Sequence, residues 1–182
     1  AKVIEDATNS GSITYNIVDT ASNISSGVSE DSVSITSAGT VTASSSATVA
    51  EANIIAGLSK AVVYNISDTA SAIAGANAIA RNKAVNIVAT DDATVSEAGV
   101  IDAASNSGSN TYNIKDSASN IAGSTNALLS TAGTVTVDGN STIANANTIA
   151  DFEKAVVYNI SDEASNIPAS VSSGLNLSLI HI

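Results

Sequence analysis

The sequence predicts an α/β solenoid of about seven coils, each contributing one strand to a single parallel sheet and one short helix to the opposite wall. Three observations lead to this prediction. The chain of 182 residues repeats itself with a period of about 48 residues. Each period has two related halves, and each half reads as a strand pattern followed by a helix start signal. An all-β solenoid, in which the Ala-rich stretches are further strands, is the alternative.

The first repeated motif has the pattern Tyr-Asn-Ile-x-Asp-x-Ala-Ser-x-Ile. Its four copies are Tyr15–Ile24, Tyr64–Ile73, Tyr112–Ile121 and Tyr158–Ile167. The alternation of apolar and polar residues around each Tyr predicts a strand. The Asp stands where a helix N-cap is expected, because its carboxylate can accept N–H groups of the first helical turn. The tyrosines are predicted to fill the core, each with its hydroxyl at a polar edge.

The second repeated motif begins with Thr and predicts a helix. Its copies are Thr48–Ile55, Thr94–Ile101 and Thr142–Ile149. The first two copies contain the Thr-x-x-Glu capping box, whereas Asn145 replaces the Glu in the third. Strands are predicted around Tyr15, Val41, Tyr64, Ile87, Tyr112, Val135 and Tyr158.

The first motif resembles a known repeat. Asp19–Ile24 reads Asp-Thr-Ala-Ser-Asn-Ile, which is similar to the "DTAxNI" repeats of very large secreted bacterial proteins of the adhesin and surface-layer type. The resemblance implies an extracellular or cell-surface location, with adjacent repeats of the parent chain, and glycans or a cell surface, as partners. It identifies a repeat and no activity. The glycine-rich nonapeptide of hemolysin-type calcium repeats is absent from the sequence, so the resemblance does not imply calcium binding.

The composition excludes several classes of function. Seventeen acidic and six basic residues give a net charge of −11, which argues against binding to nucleic acids or to anionic membranes. No apolar run approaches the ~20 residues of a membrane span, so no membrane insertion is expected. The absence of Cys excludes disulfides and thiolate chemistry. An enzyme is not expected, because the polar residues belong to repeated sets; a solenoid glycosidase with a carboxylate pair is the least favoured function.

Carboxylates are the groups that could hold a cation. Helix capping is the ordinary interpretation of the recurring set Asp19, Asp68, Asp116 and Asp162, and a calcium ladder between coils is the alternative. Asp91-Asp92 and Glu30-Asp31 are isolated acidic pairs in predicted loops, where solvated charge is the simpler account. We therefore expect no cofactor, with Ca²⁺ as the one ion to test.

The outward strand face is predicted to be a flat surface of Asn, Thr and Val. We define the predicted binding face as Asn16, Thr42, Asn65, Asn86, Asn113, Thr136 and Asn159. Amides and hydroxyls on a rigid grid could match a periodic target such as ice or a glycan. Alternatively, these residue types suit strands and keep an exposed face hydrated.

Both ends of the sequence read as cuts in a longer protein. Ala1–Tyr15 matches Ala98–Tyr112, so the chain starts inside a second motif. Residues 177–182 look like a translated sequencing adapter, and they contain the single histidine, His181. The expected organisation is a repeat solenoid over 1–168, the tail of a truncated repeat over 169–176, and an artefact over 177–182. The sequence thus predicts a structural or adhesive repeat segment that acts as spacer and display surface, or alternatively a glycan- or ice-binding module.

Overall fold

The structure, a computed structural model, describes residues 11–30, 32–163, 165 and 166. This part of the chain is α/β, with eight strands in two parallel sheets and nine helices. It divides into two compact units. The first contains the described residues up to Thr90 and Ala103–Thr111, and the second contains Asp91–Asp102 and those from Tyr112 onward. The predicted tail 169–176, the segment 177–182 with His181, and Asp31 lie outside the described residues.

The strands follow one another in the sheets in chain order. The three-stranded sheet consists of β1 (Ile17–Asp19), β2 (Thr40–Ala43) and β3 (Ala61–Val63). The five-stranded sheet consists of β4 (Ile66–Asp68), β5 (Ile87–Ala93), β6 (Asn110–Asp116), β7 (Val135–Ser141) and β8 (Val156–Ile160). The α/β class is thus confirmed for the described residues.

The prediction of one continuous sheet is wrong, because the strand expected around Tyr64 is split into β3 and β4. β3 pairs with β2. At the split, Ala47 N–H donates to the Asn65 carbonyl at 2.8 Å, and Ser67 N–H donates to the Ala47 carbonyl at 2.9 Å. The backbone of β4 therefore pairs with Ala47, beyond the end of β2, and the ladder is interrupted where residues 44–46 turn away.

The helices are short and rule out the all-β alternative. They are α1 (Ala21–Glu30), α2 (Ser32–Ser37), α3 (Val49–Ala56), α4 (Ala70–Gly75), α5 (Ala78–Lys83), α6 (Val95–Asp102), α7 (Ala118–Ala122), α8 (Asn126–Thr131) and α9 (Ile143–Ala150). We call a strand with the helix or helices that follow it a half-repeat. The second motif forms one helix, as predicted, with a complete capping box between Thr48 and Glu51. In the first three copies of the first motif, two short helices follow the strand instead of one.

The core consists of Ala, Ile, Val and Leu around two tyrosines. Tyr64 and Tyr112 are 1% and 2% exposed. The Tyr64 hydroxyl donates to the Ala80 carbonyl at 2.7 Å, and the Tyr112 hydroxyl donates to Asp102 Oδ1 at 3.0 Å. These contacts confirm the prediction of core tyrosines with hydrogen-bonded hydroxyls, while Tyr15 and Tyr158 are half-buried.

Candidate functional site

The Asp at the end of three of the four Tyr-Asn-Ile-x-Asp sequences joins two half-repeats. Asp116 Oδ1 accepts the Ser117 N–H at 2.7 Å and the Asn120 side-chain amide at 2.8 Å. Its Oδ2 accepts the N–H of Val95 at 2.9 Å. Val95 is the first residue of α6, in the preceding half-repeat. One carboxylate thus holds both its own turn and the start of a neighbouring helix, and we call this arrangement the Asp clip.

The Asp clip recurs along the chain. Asp68 accepts from Thr69 at 2.8 Å and from Val49, the first residue of α3, at 2.9 Å. Asp162 accepts in the same way from Ile143, the first residue of α9, at 2.9 Å. The local half of the clip is present at Asp19, where Oδ1 accepts the Thr20 N–H at 2.7 Å and the Asn23 amide at 2.8 Å.

The predicted N-cap position of these aspartates is wrong by one residue. Thr69 is the N-cap of α4, and its hydroxyl accepts the Ala72 N–H; Ser117 has the same place before α7. Because the hydroxyl residue caps the helix, the preceding Asp is one position outside it. Its second oxygen can therefore reach the neighbouring helix.

The clip favours the ionised carboxylate. Partial desolvation raises the pKa of Asp116, but the hydrogen bonds from Val95, Asn120 and Ser117 together outweigh it and hold the pKa below its ordinary value. The pKa of Asp162 is lowered by the hydrogen bond from the Asn166 amide and by two backbone N–H groups. That of Asp19 is lowered by the Asn23 amide and then by the Thr20 N–H.

The calcium candidates are placed differently from the prediction. Asp91 and Asp92 are exposed residues of strand β5, not of a loop, and Glu30 is the last residue of α1. Within the described ranges, no three His, Cys, Asp or Glu side chains form a group that could hold a metal ion. Three N–H donors already use the Asp116 carboxylate, two at Oδ1 and one at Oδ2, which leaves a cation at most one of its roughly four lone-pair positions.

A groove of about 480 Å³ lies beside the Asp116 clip in the second unit. Hydroxyl and amide side chains, among them Thr94 and Asn120, line it, and Asp116 is the one titratable residue among its lining residues. The groove therefore offers hydrogen-bonding groups around a carboxylate that is already engaged.

Four of the five Asn residues of the predicted binding face form a second set of bonds between half-repeats. In each case a side-chain oxygen accepts a backbone N–H of the next strand segment, 3.0 to 3.1 Å away. The pairs are Asn16 with Thr40, Asn65 with Asn86, Asn86 with Ser109, and Asn113 with Thr134. We call this set the Asn ladder. Its oxygens already have backbone donors, which limits what they can offer to a ligand.

Glycines make room for the Asn ladder. A Cβ on Gly133 would lie 2.6 Å from Asn113 Oδ1, and a Cβ on Gly108 would lie 2.3 Å from Asn86 Oδ1. This role of the glycines is not among the sequence-based predictions. The available signal was the recurring Ala-Gly-Thr at 38–40 and 132–134, which follows two of the ladder asparagines at a similar distance along the chain.

The seven residues of the predicted binding face differ in their exposure. Asn16, Asn113 and Asn159 are exposed, whereas Thr42, Asn65, Asn86 and Thr136 are half-buried. In the three-stranded sheet Val18, Thr42 and Val63 are in register on adjacent strands. Val18 is 69% and Val63 44% exposed. Beside the exposed Asn residues, the three-stranded sheet thus presents a row of two exposed Val side chains with the half-buried Thr42 between them.

The basic side chains Arg81 and Lys83 neutralise helix C-termini. Arg81 Nη1 donates to the carbonyls of Ile73 at 3.2 Å and Ala74 at 3.1 Å, at the end of α4. Lys83 Nζ donates to the Ala56 carbonyl, the last of α3, at 2.8 Å. Cations at this end of a helix interact favourably with the helix dipole.

Comparison with protein-family models, curated proteins and solved structures finds no match for this chain. Among the described residues, no helix combines the length and the apolar character needed to cross a bilayer.

Proposed function

We propose that the chain is a structural and adhesive repeat segment of a large extracellular bacterial protein, in which it acts as spacer and display surface. In this proposal the half-repeats are coils of a solenoid, and the partners are the adjacent repeats of the parent chain. One observation carries it: the polar residues that recur with the repeat bond to the backbone of a neighbouring half-repeat. In this proposal the recurring polar residues hold neighbouring repeats together, and no catalytic role is proposed for them.

The bonds between half-repeats support a stiff spacer. A junction of this kind combines parallel strand pairing with an Asp clip or a rung of the Asn ladder, and a typical hydrogen bond contributes a net of about 0.5–1.5 kcal/mol. Repeat proteins gain their stability from such nearest-neighbour terms. The same side-chain bond recurs at several junctions, so each of these junctions is held by more than strand pairing.

The composition supports an extracellular location. The chain has no Cys and a net charge of −11, and a large net charge keeps a protein dissolved and separate from other copies. The basic residues Arg81 and Lys83 are used at helix ends, so they leave the acidic character of the surface in place.

The spacer proposal is tested by pulling the full chain from its two ends by atomic force microscopy. We expect discrete unfolding steps at a measurable force, and a lower force for Asp116→Ala, which opens one clip. The matched control is Asp92→Ala, which removes the same charge from an exposed position. Extension without force steps would contradict a mechanical role of the chain.

Binding of glycan or ice is the competing function, and the row of exposed Val18 and Val63 with the half-buried Thr42 between them favours testing it. A glycan array and an ice-shaping assay with the full chain are expected to be negative. Specific binding that is lost in Thr42→Lys but kept in Ser119→Lys, on the exposed surface of α7, would replace the spacer proposal with a binding module.

A further inference from the structure

The last part of strand β7, just before helix α9, differs from its counterparts in the other second-motif half-repeats, and we call it the corner. The three equivalent corners are Ser44-Ser45-Ser46, Thr90-Asp91-Asp92 and Asp138-Gly139-Asn140. All nine residues are exposed. The residues that follow hardly change, because each corner leads to Ala or Ser and then to the Thr of the second motif. The corner is thus an exposed and variable part of an otherwise regular repeat.

The Asp138-Gly139-Asn140 corner lacks the structural role of the first one. Ser45 Oγ accepts the N–H of Ala21, the first residue of α1, at 3.0 Å. Gly139 has the equivalent position and no side chain that could accept such a bond. Its φ of +82° is a left-handed conformation that favours glycine. The β7–β8 pairing shifts register between Thr136 and Asn140, so the corner forms a bulge in the sheet.

The corner contains a modification signal. Asn140-Ser141-Thr142 is an Asn-x-Ser/Thr sequon, the acceptor of N-linked glycans. Asp138 places a carboxylate two residues before the Asn, as the bacterial oligosaccharyltransferases that read an acidic residue at this position require. The three recognition positions Asp138, Asn140 and Thr142 are all exposed.

The other sequons within the described ranges lack the preceding acidic residue, the exposure of the recognition positions, or both. They begin at Asn23, Asn65 and Asn159. Ser25, the hydroxyl residue of the first, is 7% exposed, and Asn65 is half-buried and engaged in the Asn ladder. Asn159 is as exposed as Asn140 and has an exposed Ser two residues later, but Val157 precedes it in place of the acid. It is therefore a natural control for the carboxylate.

We propose that Asn140 is the acceptor of an N-linked glycan. The side-chain amide nitrogen of Asn140 attacks the anomeric carbon of a lipid-pyrophosphate-linked oligosaccharide. A carbon–nitrogen bond forms, the bond from that carbon to the pyrophosphate oxygen breaks, the amide loses one proton and the lipid pyrophosphate leaves. The inference rests on the proposed extracellular function, because the transferase acts on exported chains.

The side chains of Asp138, Asn140 and Thr142 are accessible, although the backbone between them is engaged: Ser141 is 0% exposed, and Asn140 and Ser141 pair with Asn159 and Ile160 of β8. Asp138 Oδ1 lies 3.3 Å from Lys115 Nζ, and these side chains are 68% and 46% exposed. Such an exposed ion pair contributes little and is easily exchanged. Thr142 Oγ1 accepts the Asn145 N–H at 3.3 Å as the N-cap of α9. This bond uses a lone pair of the hydroxyl and leaves its proton available.

The test uses the purified full chain, a purified bacterial oligosaccharyltransferase of the acid-requiring kind and its lipid-linked oligosaccharide, with peptide mapping by mass spectrometry. We expect one glycan mass on the peptide that contains Asn140 and none at Asn23 or Asn159. Asn140→Gln should abolish the addition. Asp138→Ala should reduce the addition at Asn140 to the level found at Asn159, which also lacks the acid.

Two further variants separate the motif from its surroundings. Lys115→Ala releases the carboxylate of Asp138 without changing the sequon, and modification should continue. Val157→Asp gives Asn159 the missing acid and should create a second acceptor. Circular dichroism confirms that each variant remains folded.

Three outcomes would overturn the proposal. An unmodified chain together with a modified synthetic peptide of residues 136–144 would show that the folded corner excludes the enzyme. If chain and peptide both stay unmodified, the motif is not an acceptor. Modification at Asn23 or Asn65 instead would contradict the exposure argument. Since the assay uses purified components, it does not depend on export, and its result is independent of the pulling experiment that tests the spacer proposal.

Discussion

Replacing Asp116 by Ala removes one complete Asp clip. The variant loses three hydrogen bonds to a carboxylate, one of them to the first N–H of a helix in another half-repeat. The Val95 N–H then loses its acceptor at a half-buried position, which costs about 1 kcal/mol, as the loss of a helix cap does. Ser117 and Asn120 are exposed, so water can replace the lost acceptor. Each of these two hydrogen bonds therefore contributes about 0.5 kcal/mol, the lower end of the range for a hydrogen bond. The free energy of unfolding should therefore fall by about 2 kcal/mol.

The assay is urea unfolding of the full chain at neutral pH, monitored by circular dichroism. The matched control is Asp92→Ala, which removes the same charge from an exposed strand position and should change the free energy of unfolding by less than about 0.5 kcal/mol. Asp116→Asn keeps one acceptor oxygen and should lie between the two. The clip would have no energetic role if Asp116→Ala unfolded at the same urea concentration as Asp92→Ala.

The pH dependence gives this experiment a second readout. The pKa of Asp116 is lowered in the folded state, so the unfolded state binds the proton more tightly. The contribution of the clip is therefore present above the ordinary Asp pKa of about 3.9 and is lost as the pH falls through the lower folded-state pKa. The difference between wild type and Asp116→Ala should be constant from about pH 7 to about pH 5 and should close below about pH 4. A difference that persisted in acid would mean that the variant loses packing instead of a charge-dependent bond.

Three further predictions concern the glycines, the tyrosines and calcium. Gly108→Ala should cost about 2 kcal/mol or more, because its Cβ would lie 2.5 Å from the Val85 carbonyl oxygen; Gly99→Ala in α6, where nothing lies within 4 Å, should stabilise by about 0.5–1 kcal/mol. Equal effects in urea unfolding would disprove the steric argument. Burial raises the pKa of Tyr64 and Tyr112 to about 12. Stability should therefore fall as the pH rises from about 10 towards 12, where the unfolded state loses the proton first. Phenolate absorbance measures this, and ionisation of all four tyrosines near pH 10 in the folded state would contradict it. Millimolar calcium should leave the melting temperature unchanged relative to a chelator, since the clip oxygens already accept N–H donors; a calcium-dependent rise would show that the native state binds the ion.

The elements that were predictable from the sequence are those with local causes. Strand alternation and the first helical turn depend on residues two to four positions apart. The Thr48–Glu51 capping box, for example, has both partners within one turn. The burial of Tyr64 follows in the same way, because a large ring in a chain otherwise filled by Ala and Ile has to occupy the interior.

The sequence pattern does not specify which residue is the N-cap of the helix in the first motif. Asp and Thr are both good N-cap residues, and the pair Asp68-Thr69 offers both in succession. Whether the first or the second caps α4 depends on the other bonds open to the Asp. Its second oxygen accepts from Val49, which lies 19 residues away along the chain, and nothing in the local sequence specifies that partner.

The division into two sheets was not predictable from the sequence for a related reason. β3 and β4 read as one strand around Tyr64, because the alternation of apolar residues continues through Asn65. The break depends on where the preceding half-repeat turns its backbone, at residues 44–46, and on the bridge from Ala47 to Ile66. Asp91 and Asp92 were placed in a loop by their charge, yet β5 extends through them, since exposed strand positions accept acidic side chains.

The clips also explain how an acidic chain holds its repeats together with few cations. The chain has seventeen acidic and six basic residues, so salt bridges could neutralise only a minority of the carboxylates. The structure uses backbone dipoles instead. Aspartates accept the N–H groups at helix starts, and Arg81 and Lys83 donate to the carbonyls at helix ends. Because each helix supplies both partial charges itself, every added half-repeat brings its own counter-charges. A long acidic array can therefore grow without a matching supply of Lys and Arg, which is what a spacer built from many copies requires.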